Sequence, residues 1–301
     1  MDLAGLTTEG RAAGLAGLDR LPTVEIVRAV VRGHADVLEA VAAAEPAIAA
    51  LADAAAERMD AGGRVIYVGA GSGGRLALVD AAEWGPTFSE DHAIALVAGI
   101  DEIPGSPAEA AAEDDAQAGA AAIRALAPRG EDVVIGVTAS GRTPYVVSAL
   151  GAAREVDAGR HARPLTAAIT CAPFDAPADH RIETPVGPEV ISGSTRLKAG
   201  TAQKLVLNAF STATMVRRGR TYGNLMAGMR VANEKLRARA VRVCVLATDC
   251  SDAEARRALE QADDDVAQAV VMLAANVDAA TAKARLNASH GAIRAAVEKW
   301  S

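Results

Sequence analysis

The feature that most constrains the fold is the alternation of short apolar runs with helical patterns between residues 64 and 185. Five runs have the character of strands: "RVIYVGAG", "AIALVAG", "DVVIGVTAS", "PLTAAIT" and "RIETPV". The segments between the first four carry helical spacing: "GGRLALVDAAEW", which we expect to stop at Gly85-Pro86, residues 107–126, and "TPYVVSALGAAREV". Strands buried on both faces have continuous apolar runs, and strand–helix alternation favours parallel pairing. The sequence therefore predicts an α/β fold with a mainly parallel five-stranded sheet covered by helices on both faces.

The segments that flank this alternation predict two further parts. Residues 1–22 have the character of an extended N-terminal arm, and residues 23–59 predict two helices broken near Pro46. A long helix is expected over about 196–218, and after residue 238 short helical units predict a small C-terminal bundle, with Ser251 and Asp263 as N-caps. The expected domains are thus 1–22, 23–238 and 239–301.

Composition and charge exclude several classes of partner. The net charge of −7 argues against a nucleic-acid binder, which normally presents a basic face. The three cysteines, Cys171, Cys244 and Cys250, lack the spacing of a metal site and are interpreted as idle thiols. The start "MDLAGLTTEGRAAG" does not have the pattern of a signal peptide, and apolar stretches of membrane-spanning length are missing. We therefore expect a cytoplasmic protein without a nucleic-acid or membrane partner.

Two loops that follow strands have the composition of anion sites. "GAGSGG" at 69–74 offers Gly71, Ser72 and Gly73, and "TASGRTPY" at 138–145 offers Ser140, Gly141 and Thr143. Glycines let backbone N–H groups approach a ligand, and a helix N-terminus adds partial positive charge. A nicotinamide site would leave the second loop unused and needs an acidic residue about 20 positions beyond the glycines, where Asp101 comes too late. The loops therefore predict a phosphate site rather than a dinucleotide site.

A third stretch, "ETPVGPEVISGSTRLKAGTAQKLVLN" at 183–208, precedes and opens the long helix. Ser194 or Thr195 is expected to cap that helix. Arg196, Lys198 and Lys204 place positive charge near its N-terminus, where an anionic ligand would offset the unfavourable position of Lys198 and Lys204. Ser194 and Lys198 are therefore candidate phosphate-binding residues; the alternative is a solvated basic face.

These stretches together resemble the N-acetylmuramic acid 6-phosphate etherase family of the sugar isomerase (SIS) superfamily. The similarity runs from about residue 5 almost to the end, and the matching motifs are "GAGSGGRLALVDAAEWGPTF", "AEDD", "ASGRTPYV", "VGPEVISGSTRLKAGTAQKLVLN", "YGNLM" and "NEKLRARA". The resemblance implies a three-layer SIS sandwich with a C-terminal helical bundle, and a homodimer with sites near the subunit interface. It implies cleavage of the lactyl ether at C3 of a phosphorylated amino sugar without a metal or redox cofactor.

The same resemblance implies two catalytic carboxylates. Glu83 in "DAAE" matches the family's "DASE" motif, and Glu113 matches the glutamate of its "AED" motif. Without the resemblance, Glu83 would be interpreted as an ordinary carboxylate at a helix end and Glu113 as part of a solvated acidic face. Ser72 and Glu83 are eleven residues apart, close to three helical turns, so both can face one side of one helix. The sequence does not assign the acid and the base between Glu83 and Glu113.

The chain departs from the family at two places beside these motifs. It has "GAGSGGR" where the family commonly has "GAGTSGR", so Gly73 replaces a hydroxyl, and "AEWGPT" where the family has "SECPPT", which introduces Trp84 and Gly85. Trp84 could reshape the pocket or pack away from it. Two other functions stay open: an SIS isomerase of amino-sugar phosphates, which would form a ketose without lactate, and a sugar-phosphate sensor, which would bind without turnover.

Overall fold

The computed structural model describes residues 6–103, 105–156 and 163–299. The chain divides into two compact units. The first comprises Met1–Ala81 and Ala93–Phe210, and the second comprises Ala82–His92 and Ser211–Ser301. Residues 1–5 of the expected arm and residues 300–301 of the expected bundle lie outside the described residues. The boundary predicted near residue 238 falls inside the second unit, because Ala227 and Met229 are buried in the apolar core of its helices.

The first unit is built on one parallel five-stranded sheet, as predicted. Its helices and strands, in chain order, are α1 Thr23–Gly33, α2 Ala35–Asp60, β1 Val65–Gly69, α3 Gly71–Phe88, β2 Ala93–Val97, α4 Pro107–Ala112, α5 Ala116–Ala125, β3 Val133–Thr138, α6 Pro144–Arg154, β4 Leu165–Thr170, β5 His180–Glu183 and α7 Lys198–Arg217. The strand order is β2-β1-β3-β4-β5, with every pair parallel. α3 and α7 both end in the second unit.

The central strands form the core of the first unit because their side chains are buried on both faces of the sheet. All residues of β1 and β3 are buried. Ile66 and Val134 pack in one apolar cluster with Ile123 of α5 and with Val146 and Leu150 of α6. This arrangement explains the continuous apolar runs that predicted the strands.

The first two helices differ from the prediction in where they are broken. The break lies at His34 and not at Pro46, which is inside α2. Proline in a helix forgoes one backbone hydrogen bond, but Ala44 and Ile48 on either side of it are buried, so packing keeps α2 continuous.

α3 also continues where the sequence predicted an end. It passes through Gly85-Pro86 to Phe88, and Trp84 and Phe88 are both buried. Ser89 then adopts a left-handed backbone (φ 53°), and its N–H donates to the carbonyl of Gly85 over 3.0 Å. The helix therefore ends at Phe88, four residues beyond Trp84, where the sequence predicted its end.

The single helix predicted over 107–126 is two helices separated by a turn at residues 113–115. Asp115 starts the second helix, because its carboxylate accepts the N–H of Ala118 over 2.8 Å and so serves as the N-cap of α5. The N–H of Tyr145 in α6 donates to the carbonyl of Glu113 over 3.1 Å. The turn therefore fixes the backbone of Glu113 against the start of α6.

The start of α7 is capped by a residue that sequence analysis did not select. The carboxylate of Glu189, fully buried, accepts the N–H groups of Lys198 at 2.9 Å and Ala199 at 3.0 Å. The helix begins at Lys198, and Ser194 and Thr195, the predicted caps, belong to the preceding turn. A buried carboxylate satisfies two N–H groups and the helix dipole at once, which a serine hydroxyl cannot do.

Among the residues described after α7, up to residue 299, the second unit contains a bundle of five helices: α8 Glu234–Thr248, α9 Asp252–Gln261, α10 Val266–Ala275, α11 Ala279–Ala288 and α12 Ile293–Glu298. Ser251 caps α9 in a reciprocal capping box with Glu254, as predicted. Asp263 does not cap α10; Asp265 does. Asp263 and Asp264 have left-handed backbones (φ 52° and 61°), whereas an N-cap needs the extended conformation that Asp265 adopts.

The N-terminal segment is more structured than the expected arm. It contains short 3-10 helices at Thr7–Glu9 and Leu18–Arg20. Residues 8–9 are hydrogen-bonded to the loop before α7: the N–H of Gly193 donates to the carbonyl of Thr8 over 3.0 Å, and the hydroxyl of Ser192 donates to the carbonyl of Glu9 over 2.6 Å.

Within the part of the chain that the structure describes, helices of the length and hydropathy needed to cross a membrane are absent.

Candidate active site

The candidate site is a cavity of about 420 Å³ in the first unit, at the carboxyl ends of β1 and β3. From β1 the chain proceeds to β2 on one side, and β3 is added on the other side. Such a switch point in a parallel sheet leaves a crevice where ligands commonly bind. The cavity is lined by Leu6, Thr8, Glu9, Ala70, Gly71, Ser72, Gly73, Arg75, Glu113, Asp114, Thr138, Ala139, Ser140, Thr143, Pro144, Gly193, Thr195 and Gln203.

The first loop owes its shape to glycines that bring α3 close to β1. A Cβ on Gly69 would lie 2.5 Å from the Cα of Gly74, and a Cβ on Gly74 would lie 2.7 Å from Val97. Gly71 has a left-handed backbone (φ 50°). The first turn of α3 thereby comes to the cavity without large side chains, and backbone N–H groups and the Ser72 hydroxyl are the polar groups that it offers.

The second loop connects β3 to α6 and presents hydroxyl groups. The hydroxyls of Thr138 and Thr143 are 2.7 Å apart and share a hydrogen bond. Ser140 accepts the N–H of Arg142 over 3.2 Å. Gly141 is required by the turn, because its φ is 69° and a Cβ there would lie 2.9 Å from the carbonyl of Pro173.

Glu113 is the carboxylate most closely associated with the first loop. A Cβ on Gly71 would lie 2.6 Å from Oε1 of Glu113, so the carboxylate occupies the space that a side chain at position 71 would fill. Burial, together with the negative charges of Asp114 and Glu109, raises the pKa of Glu113 above its usual value, and Arg75 acts in the opposite direction. A carboxyl group of this kind can hold or release a proton nearer neutral pH than an exposed glutamate can.

Six of the ten residues that we selected as site residues line this cavity: Gly71, Ser72, Gly73, Glu113, Ser140 and Thr143. Gly141 supports the second loop, and Ser194 lies between Gly193 and Thr195, which both line the cavity. Glu83 is an exposed residue of α3 in the stretch that belongs to the second unit, and it is not a lining residue. Trp84 is buried in the same stretch and is not a lining residue either.

The ammonium group of Lys198 contacts residues that do not line the cavity. Its Nζ lies 2.7 Å from a carboxylate oxygen of Asp36 in α2 and donates to the carbonyl of Pro188 over 3.2 Å. The side chain of Lys198 is almost completely buried, whereas that of Asp36 is mostly exposed. Lys198 is not a lining residue of the cavity, and these contacts join the start of α7 to α2.

The cavity has several further lining residues that were not predicted from the sequence. Arg75 pairs with Glu109, and Glu9 and Asp114 add negative charge to the lining. Thr8 and Gln203 are both 1% exposed, and neither Oγ1 of Thr8 nor Nε2 of Gln203 has a hydrogen-bond partner among the described residues. Long-range packing brings both residues to the cavity. Gln203 lies within the stretch 186–208 that resembles the family, which is the one sequence signal that could have selected it.

The lining offers hydroxyls, glycines and carboxylates rather than metal ligands or reactive thiols. Within residues 6–103, 105–156 and 163–299, the structure contains no cluster of three or more histidine, cysteine or acidic side chains arranged to hold a metal ion. Cys171 and Cys244 are buried, and burial raises the pKa of Cys171 to about 11 and that of Cys244 to about 12, so neither favours a thiolate near neutral pH.

The parallel sheet with a glycine- and hydroxyl-lined cavity at its switch point is that of an α/β protein, and the match to a family model places it in the SIS class. Residues 47–154 match the family model of the glucokinase regulatory protein N-terminal SIS domain. Among solved structures, the fold is similar to a phosphoheptose isomerase from Francisella tularensis, with 19% identity, a TM-score of 0.47, and coverage of 64% of this chain and 98% of that one.

The family follows from relatives of nearly equal length. The chain is 46% identical over 301 residues to an N-acetylmuramic acid 6-phosphate etherase of Streptomyces avermitilis, covering 98% of this chain and 94% of the relative. It is 47% identical to the enzymes of that name from Streptomyces coelicolor and Rubrobacter xylanophilus, covering 98% of this chain and 94% and 97% of theirs. The chain belongs to the N-acetylmuramic acid 6-phosphate etherase family.

Proposed function

We propose that the chain cleaves the D-lactyl ether of N-acetylmuramic acid 6-phosphate, giving N-acetylglucosamine 6-phosphate and D-lactate. The observation that carries the proposal is the carboxylate of Glu113, held over Gly71 in a cavity lined by two loops that carry glycines and hydroxyl groups. The near full-length relatives carry the name of this activity. The active form would be a homodimer, as the family resemblance implies.

The phosphate would be held by the first turn of α3 and by the hydroxyls of the second loop. The N–H groups at Gly71 and Gly73, with the hydroxyls of Ser72, Ser140 and Thr143, are the donors that the cavity offers for its oxygens. Gly141 would act by shaping the second loop, Ser194 by shaping the segment before α7, and Lys198 by fixing the start of α7. Because position 73 is a glycine, Ser72 supplies the hydroxyl group of the first loop.

The reaction needs two proton transfers on the open-chain aldehyde of the sugar. A base removes the C2 proton, and the electron pair forms an enolate. The enolate then expels the C3 oxygen of the lactyl group, and an acid protonates that oxygen as D-lactate leaves. Water adds at C3 of the resulting unsaturated aldehyde, and C2 takes back a proton, which completes the amino-sugar product. Carboxyl groups in different environments can supply both protonation states.

We propose Glu113 and Glu83 for these two roles. Glu113 is supported by its place over Gly71 and by the direction of its pKa shift. Glu83 is supported by the match of "DAAE" to the family motif, although it is not a lining residue of the cavity. Either could act as the acid, and the variants described next test whether both are needed.

The test is to incubate the purified protein with N-acetylmuramic acid 6-phosphate and to measure D-lactate. Glu83→Ala and Glu113→Gln are each expected to lower kcat by about 10²–10⁴-fold, the usual contribution of general acid–base catalysis. Glu102→Gln, which changes an exposed loop glutamate, serves as the control.

Three results would contradict the proposal. Ketose formation without lactate would indicate an isomerase. Binding of the sugar phosphate without turnover would indicate a sensor, a function suggested by the match to the regulatory-protein SIS domain. Full activity of both glutamate variants would reject the two-glutamate mechanism while leaving the substrate in place.

A further inference from the structure

Gln203 is a buried amide in the wall of the cavity. It lies on α7, is 1% exposed, and is one of the lining residues. Its Nε2 has no hydrogen-bond partner within the part of the chain that the structure describes. Buried polar groups are nearly always hydrogen-bonded, so an orphaned amide in a cavity indicates a donor whose partner is a ligand.

The carboxamide borders the first loop at Gly73. A Cβ on Gly73 would lie 3.3 Å from Oε1 of Gln203 and 3.1 Å from the carbonyl of Val137. Because position 73 is a glycine, no side chain separates the amide from the first turn of α3. Oε1 is therefore the amide atom that the structure records beside Gly73. A half-turn of the terminal amide exchanges Oε1 and Nε2 within the same space, and the orientation that binds an anion is the one with the NH₂ group beside Gly73.

The charges of the lining determine which side of the loop suits an anion. The carboxylate of Glu113 lies at Gly71, and Glu9 and Asp114 are further acidic lining residues. Among the described lining residues, the one cationic side chain is Arg75, and it is paired with Glu109. The carboxylate of Glu113 disfavours further negative charge beside it, so phosphate oxygens other than the one at the Gly71 N–H are favoured toward Gly73, where Gln203 supplies a neutral donor.

We propose that Gln203 binds the phosphate group of the substrate, donating its amide N–H to a phosphate oxygen beside Gly73. This inference rests on the proposed function in one respect, namely that the ligand carries a phosphate. Gln203 takes no part in the proton transfers. It fixes the phosphate end of the substrate, and it supplies a donor next to the position where Gly73 lacks a hydroxyl.

The test is calorimetric titration of inorganic phosphate into the full-length protein. Gln203→Met keeps the length of the side chain and removes both amide groups, and we expect about a tenfold loss of affinity, which corresponds to about 1.4 kcal/mol. Gln203→Glu replaces the donor by a negative charge and is expected to weaken binding by more than 100-fold. Gln117→Met, on the exposed face of α5, is the matched control and should bind phosphate as the parent does.

Kinetics on N-acetylmuramic acid 6-phosphate separate binding from a merely structural role. Loss of a phosphate contact made equally in the ground and transition states raises KM and leaves kcat unchanged. Circular dichroism establishes that each variant is folded. If Gln203→Met destabilises the protein, Gln203→Asn is used instead, because it keeps the amide but withdraws it from Gly73, and the same loss of affinity is expected.

The outcomes distinguish this inference from the proposed function. Equal phosphate affinity of parent and folded Gln203 variants overturns the inference, even where the parent releases D-lactate. Failure of the parent to bind phosphate also overturns it. Weakened phosphate binding by Gln203→Met in a protein that releases no D-lactate supports the inference and rejects the etherase reaction alone.

Discussion

At the scale of single residues, the environment that raises the pKa of Glu113 also makes the free energy of unfolding depend on pH. Its pKa is raised mainly by burial and then by Asp114 and Glu109. The folded protein therefore holds this proton at pH values at which the unfolded chain, with a glutamate pKa of about 4.3, has released it. Because the folded state binds more protons in that window, the free energy of unfolding falls as pH rises through it.

We expect Glu113→Gln to remove this pH dependence. The parent should lose stability as pH rises from about 4.3, the ordinary glutamate pKa, toward neutrality, and the variant should lose less over the same interval. Urea unfolding at a series of pH values measures the difference, with Glu102→Gln as the control. Parallel pH curves for parent and Glu113→Gln would show that the raised pKa is not a property of the folded protein.

At the scale of secondary-structure elements, α7 depends on one buried carboxylate. Glu189 accepts two N–H groups at the start of the helix, and hydrogen bonds to charged groups contribute about 1.5–3 kcal/mol each. The same helix carries Gln203 into the cavity and Lys198 to Asp36. The cap therefore stabilises both the fold of the first unit and one wall of the site.

Glu189→Ala is expected to lower the free energy of unfolding by at least about 1.5–3 kcal/mol, because both N–H groups lose their buried acceptor. Chemical denaturation followed by circular dichroism measures the change. Glu155→Ala, which removes an exposed partner of Arg124, should change stability by less than about 1 kcal/mol. Similar losses for the two variants would reject the capping role.

The helices, strands and turns also show which parts of the structure could be predicted from the sequence. Buried parallel strands have to be apolar, so the five strands were predictable, as was the glycine loop that ends β1. The turn at 113–115 was not, because an alanine-rich stretch favours one continuous helix and only the capping contact of Asp115 reveals the interruption. Glu113 was selected by resemblance to the family. Glu189 and Gln203 lie within the stretch 186–208 that resembles the family, but the resemblance does not say what each contacts. Thr8 and Gln203 reach the cavity through contacts distant in sequence, which no local pattern encodes.

At the scale of the whole molecule, a ligand in the cavity should stabilise the first unit selectively. A ligand at 100 times its Kd adds about 2.7 kcal/mol to the stability of the state that binds it. With N-acetylmuramic acid 6-phosphate and the inactive Glu113→Gln variant, we expect slower amide exchange at residues 70–75, 113–116 and 139–146, and little change in α8–α12. Hydrogen-exchange mass spectrometry measures this, and equal protection of α8–α12 would place the binding site elsewhere.

The bonding of the N-terminal segment to the loop before α7 has a consequence for synthesis on the ribosome. β1 pairs with β3, so the centre of the sheet cannot close until residue 138 has left the exit tunnel. The carbonyls of Thr8 and Glu9 cannot accept their hydrogen bonds until Gly193 and Ser192 have left the tunnel. Gln203 leaves it ten residues after Gly193. A nascent chain that pauses before α7 therefore has both glycine- and hydroxyl-rich loops while Thr8 and Glu9 have not yet formed these hydrogen bonds, so one of the earliest translated segments is fixed only after the sheet is complete.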